Sequence, residues 1–404
     1  MNNTLKQSQL YWFAAMLVIY EFTTYAANDM IMPGMLQVIR QFQAPVSYVA
    51  ASLSIYMLGS CVLQLFLGPM AERYGRKKII LLGNSLFLLF TLVLALSASI
   101  KMFMLGRLLQ GSCMAFTPLG YALIHRNFND KQALKLTAFM ANIVILAPLI
   151  GPMLGGIIIS YFSWRYVFIL SLITGAISLW GLSKFTPSEK TDSTIVPDFQ
   201  LKMVLVNYWQ ILKLPSFLLG VIANAVIVLP ALIWVATSPT IIMMKLHLSV
   251  KDYIWCQLLA QSGLMLSSIA MQFIAGRLSL VKLMMIGLIL SLSGLGLGLM
   301  FHSDLYLMVV GLAIYTFGLG LLMGVVMRII GTLNTTQPSM LFSMCAFLQT
   351  LIMAFGLELI NHCLAHYDYS LFSFTLINLL LGLIASVLVI RFAYIHRKRQ
   401  DSTY

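Results

Sequence analysis

Residues 79–96 read IILLGNSLFLLFTLVLAL and contain no charged side chain. This stretch approaches the length of about 20 apolar residues that a membrane-spanning helix needs. In lipid the backbone must satisfy its own hydrogen bonds, so the stretch is a helix unless it belongs to a closed β-barrel. Barrel strands alternate polar and apolar residues over about ten positions. This stretch does not alternate, and it therefore predicts a membrane-spanning α-helix.

Similar apolar runs lie on both sides of this stretch. The runs fall near residues 11–36, 46–69, 79–98, 102–124, 136–160, 165–184, 216–240, 253–275, 279–301, 305–330, 338–363 and 369–392. The 404-residue chain is 60% hydrophobic and 9% charged, whereas a soluble domain carries about 25% charged residues. The sequence thus predicts an all-α membrane protein with twelve transmembrane helices.

The one long polar stretch, residues 185–215, separates the runs into two sets of six. We therefore predict a six-helix bundle over residues 1–184, a cytoplasmic linker over 185–215, and a second six-helix bundle with a cytoplasmic tail over 216–404. An amphipathic helix is expected in the linker near residues 199–212. Two sets of spans joined by a linker are typical of transporters built from parallel repeats.

The net charge of +13 does not indicate a nucleic-acid partner, because the basic residues are scattered between apolar runs. Lys and Arg are enriched in cytoplasmic loops of membrane proteins. With both termini inside, the outer loops hold only Arg40, Lys101, Arg165, Lys245 and Lys251, so we predict two cytoplasmic termini. The sequence has neither a metal-ligand constellation nor a glycine-rich phosphate loop with its Lys. We expect no enzyme activity, no metal and no cofactor.

Ionisable side chains inside a membrane are costly and are functional candidates. Glu21, near the middle of the first run, should bind a proton readily and could exchange it for a cationic or polar substrate. A permanently protonated Glu21 that bonds a neighbouring helix is the structural alternative. Glu358, near the outer end of the eleventh run, can reach interfacial water, and for it we favour a structural role.

Asp29 follows Glu21 by eight residues, which is about 12 Å of helix rise. It lies just before Pro33 and Gly34, so a polar residue at a kinked helix end is an alternative to a functional role. Arg107 lies one or two turns into the fourth run and needs a carboxylate or several carbonyls as partners. Asp29 is the nearest candidate by depth, and a static bridge and a proton-coupled pair are both open.

Five segments resemble motifs of the major facilitator superfamily. Residues 68–78 (GPMAERYGRKK) resemble its hallmark loop, with Glu72 where Asp is usual, and residues 107–111 (RLLQG) resemble its fourth-span motif. Residues 147–156 (APLIGPMLGG) and 164–168 (WRYVF) resemble motifs of its antiporters and drug exporters. Residues 20–35 (YEFTTYAANDMIMPGM) are similar to the first span of its multidrug/proton antiporters.

The resemblance implies a role for each motif. It implies substrate and proton binding by Glu21, Asp29, Arg107, Asn28 and Tyr25. It implies a conformational gate formed by Gly68, Glu72, Arg73, Gly75 and Arg76, with Gly68 and Gly75 permitting tight contacts. It implies an antiporter motif formed by Pro148, Gly151, Pro152, Gly155 and Gly156, which bends the fifth span and gives it a smooth face. It extends to Arg328 and Glu358.

We therefore expect a proton-driven antiporter that exports lipophilic cationic and neutral drugs by alternating access. It would be a monomer in the bacterial inner membrane, with protons, small lipophilic substrates and membrane lipids as partners. Two alternatives stay open at this point. One is an exporter of a specific endogenous metabolite such as a siderophore, and the other is an importer or a non-transporting sensor on the same fold.

Overall fold

The structure is a computed structural model that describes residues 7–187, 201–274, 277–333 and 338–401. Those residues form helices and connecting turns, and no β-strand occurs among them. The predicted all-α fold class is thus confirmed. The described chain separates into two compact units, one from Met1–Ala44 and Ile55–Leu201 and the other from Pro45–Ser54 and Lys202–Tyr404.

The helices of the first part of the chain run up to residue 185. They are α1 Gln7–Met30, α2 Met35–Gln41, α3 Tyr48–Tyr74, α4 Arg76–Ala95, α5 Ile100–Ser112, α6 Pro118–Asn127, α7 Asp130–Tyr161 and α8 Arg165–Phe185. The second part contains α9 Leu201–Leu212, α10 Pro215–Ser238, α11 Val250–Ile274, α12 Leu280–Met300, α13 Leu305–Gly331, α14 Pro338–His366 and α15 Leu371–Asp401.

Nine helical segments of the described chain are long and apolar enough to cross a membrane. They are Tyr48–Gly68, Arg76–Ala95, Arg165–Phe185, Pro215–Lys245, Val250–Ile274, Leu280–Met300, Leu305–Gly331, Met340–His366 and Leu371–His396. Each overlaps one of the predicted runs. The runs that correspond to α1, to α5 with α6, and to α7 are not in this set, so the number of twelve spans stays a prediction.

Two predicted runs are interrupted, and proline explains both interruptions. The run 11–36 ends as helix at Met30, turns through the segment that contains Pro33, and resumes at Met35 as α2. The run 102–124 consists of α5, a 3₁₀ segment Cys113–Phe116 and α6, which begins at Pro118. Proline lacks the backbone N–H that a continuing helix would donate, but it suits a first helical position.

Polar side chains set the starts of several helices. The Ser99 hydroxyl accepts a hydrogen bond from the Met102 N–H and begins α5, and the Asn129 carboxamide accepts one from Gln132 and begins α7. Such N-caps satisfy backbone donors that have no partner within the helix. Gly75, at φ 91°, connects α3 to α4, and a non-glycine residue would be strained there.

One helix lies in the part of the predicted linker that the structure describes. A helix, α9, occupies Leu201–Leu212, within the predicted amphipathic segment 199–212. Tyr208 and Ile211 are buried, while Val206 and Trp209 are exposed, so α9 has one covered and one open face. Residues 188–200 lie outside the described residues. The division into 1–184, 185–215 and 216–404 stays a prediction.

Close helix packing in the first unit places α1 against α7 and α3 against α5. A Cβ added at Gly155 of α7 would lie 1.9 Å from the Met30 carbonyl oxygen of α1. A Cβ added at Gly111 of α5 would lie 1.9 Å from the Tyr56 carbonyl oxygen of α3. Only glycine fits at either position, and small residues of this kind let transmembrane helices approach closely. These contacts fix the helices that carry the site.

Candidate functional site

The candidate site is built on α1, whose inward face carries two acidic side chains. Glu21 is 1% exposed and Asp29 is 7% exposed. Tyr25, half-buried, lies between them, one turn from each. Two buried carboxyl groups on one helix are costly in an apolar surrounding. Glu21 has a polar partner on another helix, and Asp29 has one on α1 itself.

Glu21 is held by a side chain that the sequence analysis did not single out. Its Oε1 accepts a hydrogen bond of 2.8 Å from the Tyr121 hydroxyl of α6. Its Oε2 is buried and has no hydrogen-bond partner among the described residues. A carboxyl oxygen without a partner can hold a proton or accept a hydrogen bond from a ligand. One oxygen of Glu21 is thus hydrogen-bonded by the protein, and the other can take a proton or a ligand.

Asp29 and Arg107 are linked by the side chain between them, Asn28. The Asn28 Nδ2 donates to the Asp29 Oδ1 at 3.1 Å, and the Asn28 Oδ1 accepts from the Arg107 Nη2 at 2.6 Å. Arg107 is fully buried. The structure therefore connects Asp29 and Arg107, which the sequence analysis paired by depth, through the Asn28 carboxamide.

Arg107 is fixed on two further sides. Its Nη1 donates to the Gln110 Oε1 at 3.0 Å, one turn along α5. Its guanidinium lies 4.4 Å from the centre of the Tyr56 ring of α3, a favourable arrangement for a desolvated cation. The Tyr56 hydroxyl in turn donates to the Thr24 carbonyl of α1 at 2.9 Å. The guanidinium is thus tied to α1, α3 and α5.

The predicted antiporter motif lies in α7 and contacts the segment of α1 that carries Asp29. A Cβ added at Gly151 would lie 2.9 Å from the Asp29 Cβ. Pro148 and Pro152 are inside α7, and Gly156 is buried. The glycine face of α7 packs against α1 around Asp29. A change in the position or charge of the Asp29 side chain therefore alters the contact between α1 and α7.

The predicted gate residues lie around the junction of α3 and α4. Glu72 and Arg73 are exposed, and the Arg73 guanidinium lies 5.5 Å from the centre of the Tyr74 ring. Gly75 and Arg76 are half-buried. The expectation of close packing at Gly68 is wrong: Gly68 lies within α3, is exposed, and a Cβ there would meet no described atom within 4 Å. The tight backbone geometry is at Gly75.

Comparison with known proteins identifies the family. The model of the Major Facilitator Superfamily matches residues 17–335. The chain belongs to the Major Facilitator Superfamily. It is a membrane transporter of that superfamily.

Curated relatives and solved structures agree with this assignment. The chain is 33% identical over 385 residues, 94% of its length, to proteins named multidrug transporter MdfA from Escherichia coli O6:H1 and Yersinia pestis, and these residues cover 93% of each relative. The structure is similar to that of a D-xylose–proton symporter (TM-score 0.75, 12% identity, 95% of this chain and 98% of that one). It is also similar to a bacterial homologue of the lysosomal transporter Spinster (TM-score 0.71, 14% identity, 97% and 98%). The two structures support the superfamily fold.

Glu358 and Arg328, to which the superfamily resemblance extended, belong to the second unit. Both are exposed, Glu358 on α14 and Arg328 in the last turn of α13. Among the described residues there is no group of three His, Cys, Asp or Glu side chains that could hold a metal.

Sequence reasoning missed four neutral side chains of the site. They are Tyr56, Gln110 and Tyr121, which contact the ionisable groups, and Thr91, which accepts a hydrogen bond from Gln110. Gln110 carried a local signal, because a polar side chain three residues after Arg107 on one helix faces the same way. The other three reach the site from α3, α4 and α6, and nothing in the spacing of the sequence connects them to it.

Proposed function

We propose that this superfamily member is a proton-driven antiporter that exports lipophilic cationic and neutral drugs by alternating access. The observation that carries the proposal is the buried Glu21 carboxyl group, with one oxygen bonded to Tyr121 and the other without a partner among the described residues. The relatives named multidrug transporters support the substrate class.

A proton and a cationic substrate compete for the Glu21 carboxylate, and this competition couples substrate binding to proton binding. A desolvated carboxylate is stabilised either by a proton or by a cationic group, and both cannot occupy one oxygen. A lipophilic cation therefore binds when the proton leaves, and a returning proton expels the cation. The Tyr121 hydrogen bond orients the carboxyl group in both states, because a hydroxyl can donate to a carboxylate or to a carbonyl oxygen.

Asp29 supplies the link to conformation. Its charged form accepts the hydrogen bond from Asn28 and is stabilised by Arg107 beyond it. A proton on Asp29 weakens this arrangement and leaves the guanidinium with less compensation. Because Gly151 and Gly155 hold α7 against the same part of α1, the two protonation states favour different packings of α1 and α7. A ligand shifts a conformational equilibrium by such differential affinity.

The same proposal includes the membrane location, the oligomeric state and the coupling ion of the protein. It is a multi-pass monomer of the bacterial inner membrane with both termini in the cytoplasm, surrounded by membrane lipids. The proton is the coupling ion, and no metal or organic cofactor takes part. The gate residues Glu72, Arg73 and Arg76, with Gly68 and Gly75, control switching at the cytoplasmic side.

Transport in inverted membrane vesicles tests the proposal. When the vesicle lumen is acidified, an exporter accumulates a lipophilic cation such as tetraphenylphosphonium in the lumen while protons leave. The matched control is the Glu21→Ala variant in the same vesicles. Accumulation that needs no proton gradient would overturn the antiport mechanism. Accumulation of a single metabolite and no drug would favour the metabolite exporter, and movement in the opposite direction would favour an importer.

A further inference from the structure

A chain of buried hydrogen bonds extends from Arg107 into α4. The Arg107 Nη1 donates to the Gln110 Oε1, the Gln110 Nε2 donates to the Thr91 Oγ1 at 2.9 Å, and the Thr91 hydroxyl donates to the Phe87 carbonyl oxygen at 2.6 Å. Arg107, Gln110 and Thr91 are each fully buried. None of the motifs in the sequence includes Thr91.

The donor and the acceptor of each hydrogen bond in this chain are determined by the Phe87 carbonyl at one end and the Arg107 guanidinium at the other. The Phe87 carbonyl can only accept, so the single Thr91 proton is committed to it. The Thr91 oxygen is then only an acceptor toward Gln110, and Gln110 must present its amide nitrogen to Thr91. Its carbonyl oxygen consequently faces Arg107, whose nitrogens can only donate. A reversed Gln110 amide would set donor against donor at Arg107 and acceptor against acceptor at Thr91.

The same direction continues on the other side of Arg107. The guanidinium donates to the Asn28 oxygen, so the Asn28 amide nitrogen is the atom that faces Asp29. Asp29 therefore receives a hydrogen bond, which favours its charged form. Thr91, on a different helix, holds the Gln110 side chain that positions the Arg107 guanidinium, and the guanidinium in turn positions the Asn28 amide against Asp29.

We propose that Thr91 is a positioning residue for proton coupling at Asp29, acting through Gln110 and Arg107. The inference rests on the proposed function, in which the charged and the protonated forms of Asp29 favour different packings of α1 and α7. Among the described residues, the titratable side chains around Asp29 are Arg107 from α5 and Tyr56 from α3, with Tyr25 and Glu21 on α1 itself. The α7 surface there is Gly151, and Arg165 of α8 is bonded to the carbonyls of Ala95 and Ser97.

The test is equilibrium binding of tetraphenylphosphonium to the purified protein as a function of pH. Thr91→Val keeps the shape but removes both hydrogen bonds, so the midpoint of the binding curve should move toward higher pH by about 0.5 to 1 unit. Thr91→Ser restores the hydroxyl and should restore the wild-type midpoint. Thr174→Val is the matched control, because Thr174 makes the corresponding bond to the Leu170 carbonyl within α8.

The outcomes separate the two proposals. If wild-type binding does not depend on pH, the proton-coupled function is wrong. If wild-type binding depends on pH but Thr91→Val, folded and binding at high pH, keeps the wild-type midpoint, the role of Thr91 is wrong and the proposed function stands. A loss of binding at every pH in Thr91→Val that Thr91→Ser also shows would indicate packing alone and would equally overturn the inference.

Discussion

The Arg107 guanidinium donates a hydrogen bond of 2.6 Å to the side-chain oxygen of Asn28. Because a guanidinium can only donate, this bond fixes the Asn28 amide nitrogen as the atom that faces Asp29. The Asn28 amide nitrogen donates to the Asp29 carboxyl group at 3.1 Å. Asn28 is a neutral residue, and its two hydrogen bonds connect the buried Arg107 guanidinium to the buried Asp29 carboxyl group.

Removal of the Asn28 carboxamide should uncouple Asp29 from Arg107. In a double-mutant cycle, Asp29→Asn and Arg107→Ala should be non-additive in substrate binding, with an interaction of about 0.5–3 kcal/mol. The same cycle in an Asn28→Ala background should approach additivity. Additive single-substitution effects in the wild-type background would show that the two residues do not interact.

Arg107→Lys should transport poorly although the charge is kept. The guanidinium uses two different nitrogens for Gln110 and Asn28 and lies over the Tyr56 ring, and a single ammonium group cannot reproduce this arrangement. Loss of one buried charged hydrogen bond costs about 1.5–3 kcal/mol, so transport should fall roughly ten-fold or more at equal expression. Transport at the wild-type rate would show that charge alone is required.

Glu21→Gln should weaken export of lipophilic cations more than export of neutral drugs. The amide keeps the size of the side chain but removes the charge that a cation needs, while a neutral drug loses little. Tyr121→Phe is the companion variant: it removes the 2.8 Å hydrogen bond to Glu21 but leaves the charge, so preference for cations should persist. Transport of matched cationic and neutral drugs in vesicles gives the ratio. An equal loss for both kinds of drug in Glu21→Gln would contradict this role.

Much of the fold could be predicted because hydrophobic length encodes a spanning helix directly. The run 79–98 corresponds to α4, Arg76–Ala95, within three residues at each end. The break of the fourth run at Cys113–Phe116 was not predicted, since hydrophobicity is uniform across it and only Pro118 marks the change. Helix ends also depend on single caps such as Ser99, which add little to a hydrophobic pattern.

The ionisable part of the site could be predicted, and its neutral part could not. A charge in an apolar run carries a large energetic penalty, which is why Glu21, Asp29 and Arg107 stand out in the sequence. A Tyr or Thr in a span carries little penalty, so Tyr121 and Thr91 look like ordinary residues. Their importance comes from contacts between different helices, such as the bond from Tyr121 to Glu21 across 100 positions of the chain.

Gly155→Ala should destabilise the protein strongly. The added Cβ would lie 1.9 Å from the Met30 carbonyl oxygen, so α1 and α7 must separate, at a cost of about 1–3 kcal/mol or more. Gly296→Ala is the matched control, since nothing described lies within 4 Å of a Cβ there and alanine favours a helix by about 1 kcal/mol. Thermal unfolding in detergent should show a lower midpoint for Gly155→Ala only. Equal midpoints for the two variants would mean that α1 and α7 are not in close contact.

Glu72→Ala and Arg73→Ala should slow transport while substrate affinity is retained. Both side chains are exposed near the junction of α3 and α4, whereas substrate is expected at the buried Glu21, so neither can add directly to the binding energy. A role in switching instead lowers the rate at which the loaded and empty forms interconvert. Equilibrium binding of tetraphenylphosphonium should stay within about two-fold of wild type, a difference below 0.5 kcal/mol, while transport in vesicles falls several-fold. Lys135→Ala, which removes an exposed charge from α7, should change neither quantity. If affinity falls in step with transport, residues 72 and 73 contribute to binding and the gate assignment is wrong.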